Sequence, residues 1–318
     1  MRCLMTNNRK CLFCYEPVVE PELIYHPKCS KEIFDSKVPP EIDFNLGDIE
    51  ELALKYLGKN LSVTGVQPKM SLETERIGKN RLRLTVVGLW GSYIFKPPFE
   101  KYHDLPQNED LTMHLAEVAG IKTARHSLIP LKSGELAYIS KRFDRQNGIK
   151  LCLEDMAQLT EVLTARKYKG SYEKTGKIIA KYSDFPGNDL VSFYELTLFS
   201  FLTGNADMHL KNFSLLRSVN NEISLSPAYD LVNTKLIITD DPEDLALTLN
   251  GKKSNLKVKD FISFADSLSI DRNIVHKIHD RFAGLQSKFS DMIEKSFLKE
   301  EEQEKYKNII LKQMERLW

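Results

Sequence analysis

Residues 202–230 read LTGNADMHLKNFSLLRSVNNEISLSPAYD, and the rest of the chain takes its meaning from this stretch. Two short apolar runs, Phe213 to Leu216 and Glu222 to Leu225, flank Asn220-Asn221 and predict a β-hairpin. The hairpin would carry Asp230 back beside Asn212, which follows Asp207 with four residues between them. This is the grammar of a kinase catalytic loop. One Asp takes the proton of the attacking hydroxyl, while an Asn five positions on and a later Asp hold Mg²⁺ against the phosphates. Mg²⁺ wants hard oxygen ligands and takes only one or two carboxylates, so Asn212 and Asp230 suit the metal and Asp207 the base. A polar turn uses the same residue types. What separates the two readings is context: Leu190 to Leu202 is apolar on nearly every face, with Asp189 as the expected N-cap and Gly204 as the expected C′ residue. A polar loop hung from a buried helix is where reactive groups are held still.

Upstream, Asp48 to Lys59 predicts an amphipathic helix closed by Gly58. Arg81 to Val87 and Ser92 to Lys96 predict two strands of a small antiparallel sheet meeting near Gly88 to Gly91. Lys96 stands where a kinase carries the lysine that pairs α/β-phosphates and a helix glutamate. The helix expected over Glu109 to Ala119 offers Glu109 and Glu117, and spacing does not choose between them. Ile121 to Ile139 predicts two more strands around Ser133-Gly134. Beyond Arg145 the pattern turns helical, over Leu153 to Ala165 and Thr175 to Tyr182. It then runs along Ile274, Ile278, Phe282, Leu285, Phe289 and Ile293, and ends in a mostly exposed helix from Glu300 to Trp318.

The string Gly204-Asn-Ala-Asp-Met-His-Leu-Lys-Asn212 with Pro227-Ala-Tyr229-Asp230-Leu231 resembles the C-terminal signature of the HipA family, the serine/threonine kinase toxins of bacterial toxin–antitoxin systems. The resemblance covers about Leu61 to Phe289 and implies roles for further residues. Ser62-Val-Thr-Gly-Val-Gln-Pro-Lys69 would be the phosphate-covering loop, with Thr64, Gly65, Val66, Gln67 and Pro68 wrapping the nucleotide phosphates and Lys69 adding charge. Ser62 and Thr64 would be its autophosphorylation sites. Lys141, Arg142 and Phe143 resemble the family's adenine-contacting hinge. Tyr229 and Lys211 belong to the nucleotide-binding motifs, and His209 would contact phosphate or brace the loop. Only a Cys-rich arm stands where longer members carry an N-terminal subdomain, so the chain is similar to the short HipT form. The partners so implied are an antitoxin of HipB type, a small HipS-like protein, and an aminoacyl-tRNA synthetase as substrate.

Composition sets bounds on this. The 318 residues carry a formal net charge of +1, with 28% charged and 42% hydrophobic residues. That leaves no basic excess to argue for direct nucleic-acid binding and no apolar run to argue for a membrane span, so a cytoplasmic protein is expected. Of five cysteines, all but Cys152 fall within the first thirty positions. Cys11-x2-Cys14 followed by His26-x2-Cys29 has ligand spacing for structural Zn²⁺, against which stands a set of reduced thiols in a loose arm.

The expected architecture is an α+β, bilobal, protein-kinase-like fold. It divides into an arm over 1–45, an N-lobe with a small antiparallel sheet over 46–145, and a mainly helical C-lobe over 146–318. The expected activity is Mg²⁺-dependent transfer of the ATP γ-phosphoryl group to a protein hydroxyl. A pseudokinase that binds a DNA-binding antitoxin, or a small-molecule kinase, is the alternative.

Overall fold

The computed structural model describes residues 9–20, 22–49, 51–52, 68–78, 81–88, 90–102, 104–146 and 148–318. Ser62, Thr64, Gly65, Val66 and Gln67, and most of the helix expected over Asp48 to Lys59, lie outside them. The chain divides into two compact units. The first comprises residues 1–110, 124–142 and 295–297, and the second 111–123, 143–294 and 298–318.

The first unit is built on a six-stranded sheet of β1 (Glu41–Ile42), β2 (Met70–Arg76), β3 (Leu82–Val87), β4 (Tyr93–Lys96), β5 (His126–Pro130) and β6 (Leu136–Lys141), in the order β1-β3-β2-β4-β6-β5. Only β1 and β3 run parallel. The two strands expected to meet near Gly88 to Gly91 both form, but they do not pair with each other: β2 lies between them, with Leu72 opposite Val86 on one side and Tyr93 on the other. Strand order is a property of long-range pairing, which the local pattern of two runs does not carry.

One face of this sheet is closed by the N-terminal arm. Its helix α1 (Pro27–Phe34) starts at His26 with Pro27 in the first turn, where a missing N–H costs nothing, and stops at Asp35 in the left-handed conformation (φ 57°). Cys11, Leu12, Tyr25, Ile33 and Phe34 are buried with Leu72, Phe95, Leu128 and Ile139 in one core. Helix α2 (Leu105–Val118) belongs to the first unit through Asp110 and to the second from Leu111 onward.

The second unit contains two small sheets, β7 (Arg145–Gln146) with β8 (Ile149–Lys150) and β9 (Leu153–Asp155) with β10 (Ser214–Arg217) and β11 (Ile223–Leu225). Around them lie α3 (Met156–Leu159), α4 (Tyr172–Tyr182), α5 (Pro186–Leu202), α6 (Val258–Ser267), α7 (Arg272–Ala283), α8 (Gln286–Lys295) and α9 (Glu300–Met314). Leu153 to Asp155 is therefore a strand and not the start of a helix, because it pairs with β10. The long C-terminal pattern is two helices that part at Gly284. The last helix is no exposed appendage: Tyr306, Ile310 and Met314 are buried, and Gln313 Nε2 donates to the Phe201 carbonyl at 2.9 Å.

At the centre of the second unit is α5, whose residues from Leu196 to Leu202 are all buried. Phe193 packs edge-on to Phe213 at 5.1 Å between ring centres, and Tyr172 and Phe264 complete the aromatic cluster. Asp189 is not the N-cap, a position held by Phe185; it sits inside the first turn. Its carboxylate accepts from Ser183 Oγ at 2.5 Å and from the Leu225 amide at 2.7 Å, which ties β11 to the helix. Among the described residues no helix is long and apolar enough to cross a membrane.

Candidate active site

The helix α5 ends at Thr203, and Gly204 takes φ 66° as the residue after the cap. A side chain at Gly204 would meet Asn233 Oδ1 and Ile309 Cγ2, both at 3.0 Å, so glycine answers both the backbone sign and the space. The loop that follows is held by side chains. Thr234 Oγ1 donates to the Gly204 carbonyl at 3.1 Å and accepts from the Ala206 amide at 2.8 Å. Buried Asn205 accepts the Asp207 amide on Oδ1 at 3.1 Å. The Asp207 carbonyl then accepts from the His209 amide at 2.8 Å, and the His209 carbonyl from the Asn212 amide at 2.9 Å, which closes a single 3₁₀ turn over Leu210–Asn212.

The hairpin forms as its alternation predicts, with Leu215 opposite Leu225 and Asn221 at φ 67° in the turn. It returns the chain so that Asn212 Nδ2 stands 3.4 Å from Asp230 Oδ2. Asp230 itself takes φ 60°. Tyr229 fixes the neighbourhood: its hydroxyl donates to the Lys211 carbonyl at 2.9 Å, lies 2.5 Å from Ser214 Oγ, and its ring packs on Phe143 at 5.6 Å. The structure thus gathers Asp207, His209, Lys211, Asn212, Phe143, Tyr229 and Asp230 within the second unit. Asp207 and Asp230 are half-buried and Asn212 is buried.

His209 is buried beneath the loop with Tyr168 edge-on to its ring at 5.1 Å. Burial lowers its pKa, helped by the charge of Lys167 and opposed chiefly by Asp207, so the imidazole is held toward the neutral form. Tyr168 is the residue that sequence reasoning missed. Its hydroxyl donates to Asp207 Oδ1 at 2.5 Å across thirty-nine positions of chain. Burial, then the hydrogen bond to the Asp207 carboxylate, push this phenol well above its ordinary pKa, so it remains a donor. It lies in Arg166 to Tyr172, a Lys/Tyr-rich stretch between the helices expected over Leu153 to Ala165 and Thr175 to Tyr182, which reads equally as a partner contact or a solvated loop.

In the first unit, Lys96 and Glu109 form a buried pair at 2.7 Å that joins β4 to α2, which decides between the two glutamates. Glu117 instead accepts from Thr123 Oγ1 at 2.8 Å and faces His114 Nδ1 at 3.5 Å. Lys69 is exposed just before β2, and Pro68 is half-buried beside it. Lys141 reaches Asp35 at 2.6 Å, and the Arg142 amide donates to the Ser92 carbonyl at 2.8 Å. The boundary between the units falls between Arg142 and Phe143. Cys11, Cys14, His26 and Cys29 converge elsewhere in this unit, their ligand atoms all within 4.8 Å of one another.

Over much of its length the chain is similar to known proteins. The chain is 33% identical over 208 residues to the putative kinase Y4dM of Sinorhizobium fredii, a match covering 62% of this chain and 49% of that protein. It is 29% identical over 238 residues to the serine/threonine-protein kinase toxin HipA of Shewanella oneidensis, covering 68% of this chain and 53% of the toxin. The match thus spans about half the length of these two relatives. Among solved structures, the complex of Shewanella oneidensis HipA with HipB and operator DNA contains a chain that matches with a TM-score of 0.67 at 26% identity, covering 81% of this chain and 65% of that one. The Helicobacter pylori kinase CtkA matches with a TM-score of 0.50 at 17% identity, covering 75% and 88%, and supports the kinase-like α+β fold alone. The profile of the HipA-like C-terminal domain matches residues 61–313, and the chain belongs to that family.

Proposed function

We propose that this protein is an ATP- and Mg²⁺-dependent serine/threonine protein kinase of the HipA type, acting as the toxin of a bacterial toxin–antitoxin system. The observation that carries the reading is the cluster at the end of α5, where a fixed loop presents Asp207 and a hairpin sets Asn212 against Asp230 at 3.4 Å. That contact runs from the Asn212 amide nitrogen to the Asp230 carboxylate; with its Oδ1 turned to a metal, Asn212 would join Asp230 as the hard oxygen pair that Mg²⁺ accepts, and these two residues would hold it. The bound ion would neutralise phosphate charge.

In this reading the acceptor hydroxyl lies against Asp207, which takes its proton as the oxygen bonds to the γ-phosphorus and the bond to the bridging oxygen of ADP breaks. Lys96, held by Glu109, and Lys69 offer positive charge to the phosphates. Gly65 to Lys69 would wrap them through backbone groups, and in the catalytic loop His209 would contact phosphate or brace that loop, with Lys211 beside the metal ligand Asn212. Lys141, Arg142, Phe143 and Tyr229 serve the base and ribose side of the nucleotide.

The finer features follow the family. An antitoxin of HipB type is the expected partner, since the Shewanella toxin was solved in complex with HipB. A small HipS-like protein and an aminoacyl-tRNA synthetase substrate belong to the same proposal, as does a cytoplasmic location. Ser62 and Thr64 are the proposed autophosphorylation sites. A phosphate there adds nearly two negative charges beside those of ATP, so phosphorylation and nucleotide binding should exclude each other. The test is γ-labelled ATP with Mg²⁺ and a bacterial extract. Label should enter one protein of the extract and the loop peptide of the kinase itself. Label in small molecules alone would replace the protein acceptor by a small one, and no transfer to anything would overturn the reading.

A further inference from the structure

The cysteine–histidine cluster of the first unit takes no part in this chemistry, yet it is built with care. Cys11 and Cys14 sit on a tight turn in which the Tyr15 amide donates to the Cys11 carbonyl at 2.9 Å and the Cys11 amide to the Glu16 carbonyl at 2.8 Å. Tyr15, just after the second cysteine, takes φ 64°, a conformation that a bulky residue keeps only when its surroundings hold it. They do: its hydroxyl donates to buried Asp110 Oδ2 at 2.6 Å and its ring packs edge-on against Phe297. The chain then returns along Leu12, whose amide donates to the Ile24 carbonyl at 3.0 Å, and delivers His26 and Cys29 on the first turn of α1.

The tautomer of His26 follows from one contact. Its Nε2 lies 3.0 Å from the Pro17 carbonyl oxygen, which can only accept, so Nε2 carries the hydrogen and Nδ1 presents its lone pair. Two sulfurs face that lone pair, Cys14 Sγ at 3.4 Å and Cys29 Sγ at 3.7 Å. A single lone pair accepts one S–H donor well, not two. A metal ion between them satisfies all the groups at once. In a tetrahedron with Zn–S near 2.3 Å and Zn–N near 2.0–2.1 Å, the S···N edge is about 3.6 Å, which is the separation found here. The fourth ligand, Cys11, is fully buried, and its Sγ accepts from the His26 amide at 3.4 Å. The three sulfurs are free of disulfides.

We propose that Cys11, Cys14, His26 and Cys29 bind one Zn²⁺ in a closed tetrahedral site that locks the N-terminal arm onto β5. Three soft thiolates and an imidazole select zinc over Mg²⁺ or Ca²⁺, and four protein ligands leave no open position, so the ion is structural. His26 is oriented by its carbonyl partner in the manner usual for metal-bound imidazole. What the metal would hold in place is plain from the contacts of the arm. The Leu12 carbonyl accepts from the Leu128 amide at 3.3 Å and from Ser127 Oγ at 2.9 Å, the Tyr25 hydroxyl donates to the Leu128 carbonyl, and Cys11, Leu12, Tyr25, Ile33 and Phe34 fill the core over the sheet. An arm this short cannot bury a core of its own, so the metal and the sheet fold it together.

The experiment is elemental analysis of the full chain purified under reducing conditions without added metal, with release by a strong chelator and thermal denaturation as second readouts. About one Zn²⁺ per chain is expected. Cys14→Ser and Cys29→Ser should each lower the content several-fold. Chelation of the wild-type protein should lower its Tm by several degrees and expose three thiols to alkylation, and added Zn²⁺ should reverse both. Because chelation uses the wild-type chain, a variant that fails to fold leaves the test intact. Metal-free protein whose Tm and thiol reactivity do not respond to chelator or Zn²⁺ would overturn the proposal. So would stoichiometric iron in place of zinc, or a disulfide among the four positions.

Discussion

At the scale of single residues, the arrangement turns on what Asp207 touches. Tyr168 donates its hydroxyl to Oδ1 of this carboxylate, the group to which an acceptor hydroxyl would donate in the proposed reaction. Tyr168→Phe removes that donor and keeps the ring that packs on His209, so the fold should be unchanged. The KM for the protein acceptor should fall severalfold with kcat nearly constant, because the acceptor no longer displaces a bonded phenol. Steady-state kinetics with a defined acceptor would check it, and a lower kcat at unchanged KM would instead make Tyr168 a positioning group for Asp207. The contact illustrates what a sequence hides. The approach of Asp230 to Asn212 was legible from the short hairpin between them, whereas a tyrosine thirty-nine positions before Asp207 comes to it only through long-range packing.

At the scale of elements, the pair Lys96–Glu109 binds β4 to α2 inside the first unit. Lys96→Ala leaves a buried carboxylate without this cation and should cost roughly 3–5 kcal/mol, while replacing both residues by apolar ones of similar size should restore much of the loss. Denaturant unfolding of the single and double variants measures this, and activity should stay lost in both. Gly91 offers a second check. A Cβ there would clash with the Leu72 carbonyl oxygen and stand 2.6 Å from Ser71 Oγ, so Gly91→Ala should destabilise the sheet by about 1–3 kcal/mol. An unchanged Tm would show that β2 and the turn before β4 are not so close. The elements differ in how far they could be read in advance. The hairpin after Asn212 was legible from alternation and its Asn-Asn turn, and α5 from its apolar run. The placement of β2 between β3 and β4 was not, since pairing partners are chosen by the whole sheet. Leu153 to Asp155 was misread because its apolar spacing fits a helix as well as a strand, and β10 decided it.

Over the whole molecule, stability should fall on mild acidification. His279 is buried in the second unit, 2.8 Å from the Tyr194 hydroxyl, and burial lowers its pKa, helped by His276 and opposed by Asp280. The unfolded chain therefore binds a proton that the folded one refuses. The contribution of this residue is complete above about pH 6.5, the ordinary histidine value, and is lost as the pH falls through the range below it. Unfolding free energy measured between pH 7.5 and 5 should decrease, and His279→Gln should flatten the slope. A wild-type slope retained in His279→Gln would assign the effect elsewhere. The central claim, however, is that a kinase reaction occurs at the end of α5, and the most direct measurement is γ-phosphoryl transfer by Asp207→Asn beside wild type, with nucleotide affinity determined by calorimetry on both. The account predicts transfer reduced by about 10²-fold or more with ATP affinity within a few-fold, because the amide keeps the shape and loses the base. Transfer within about tenfold of wild type would contradict it.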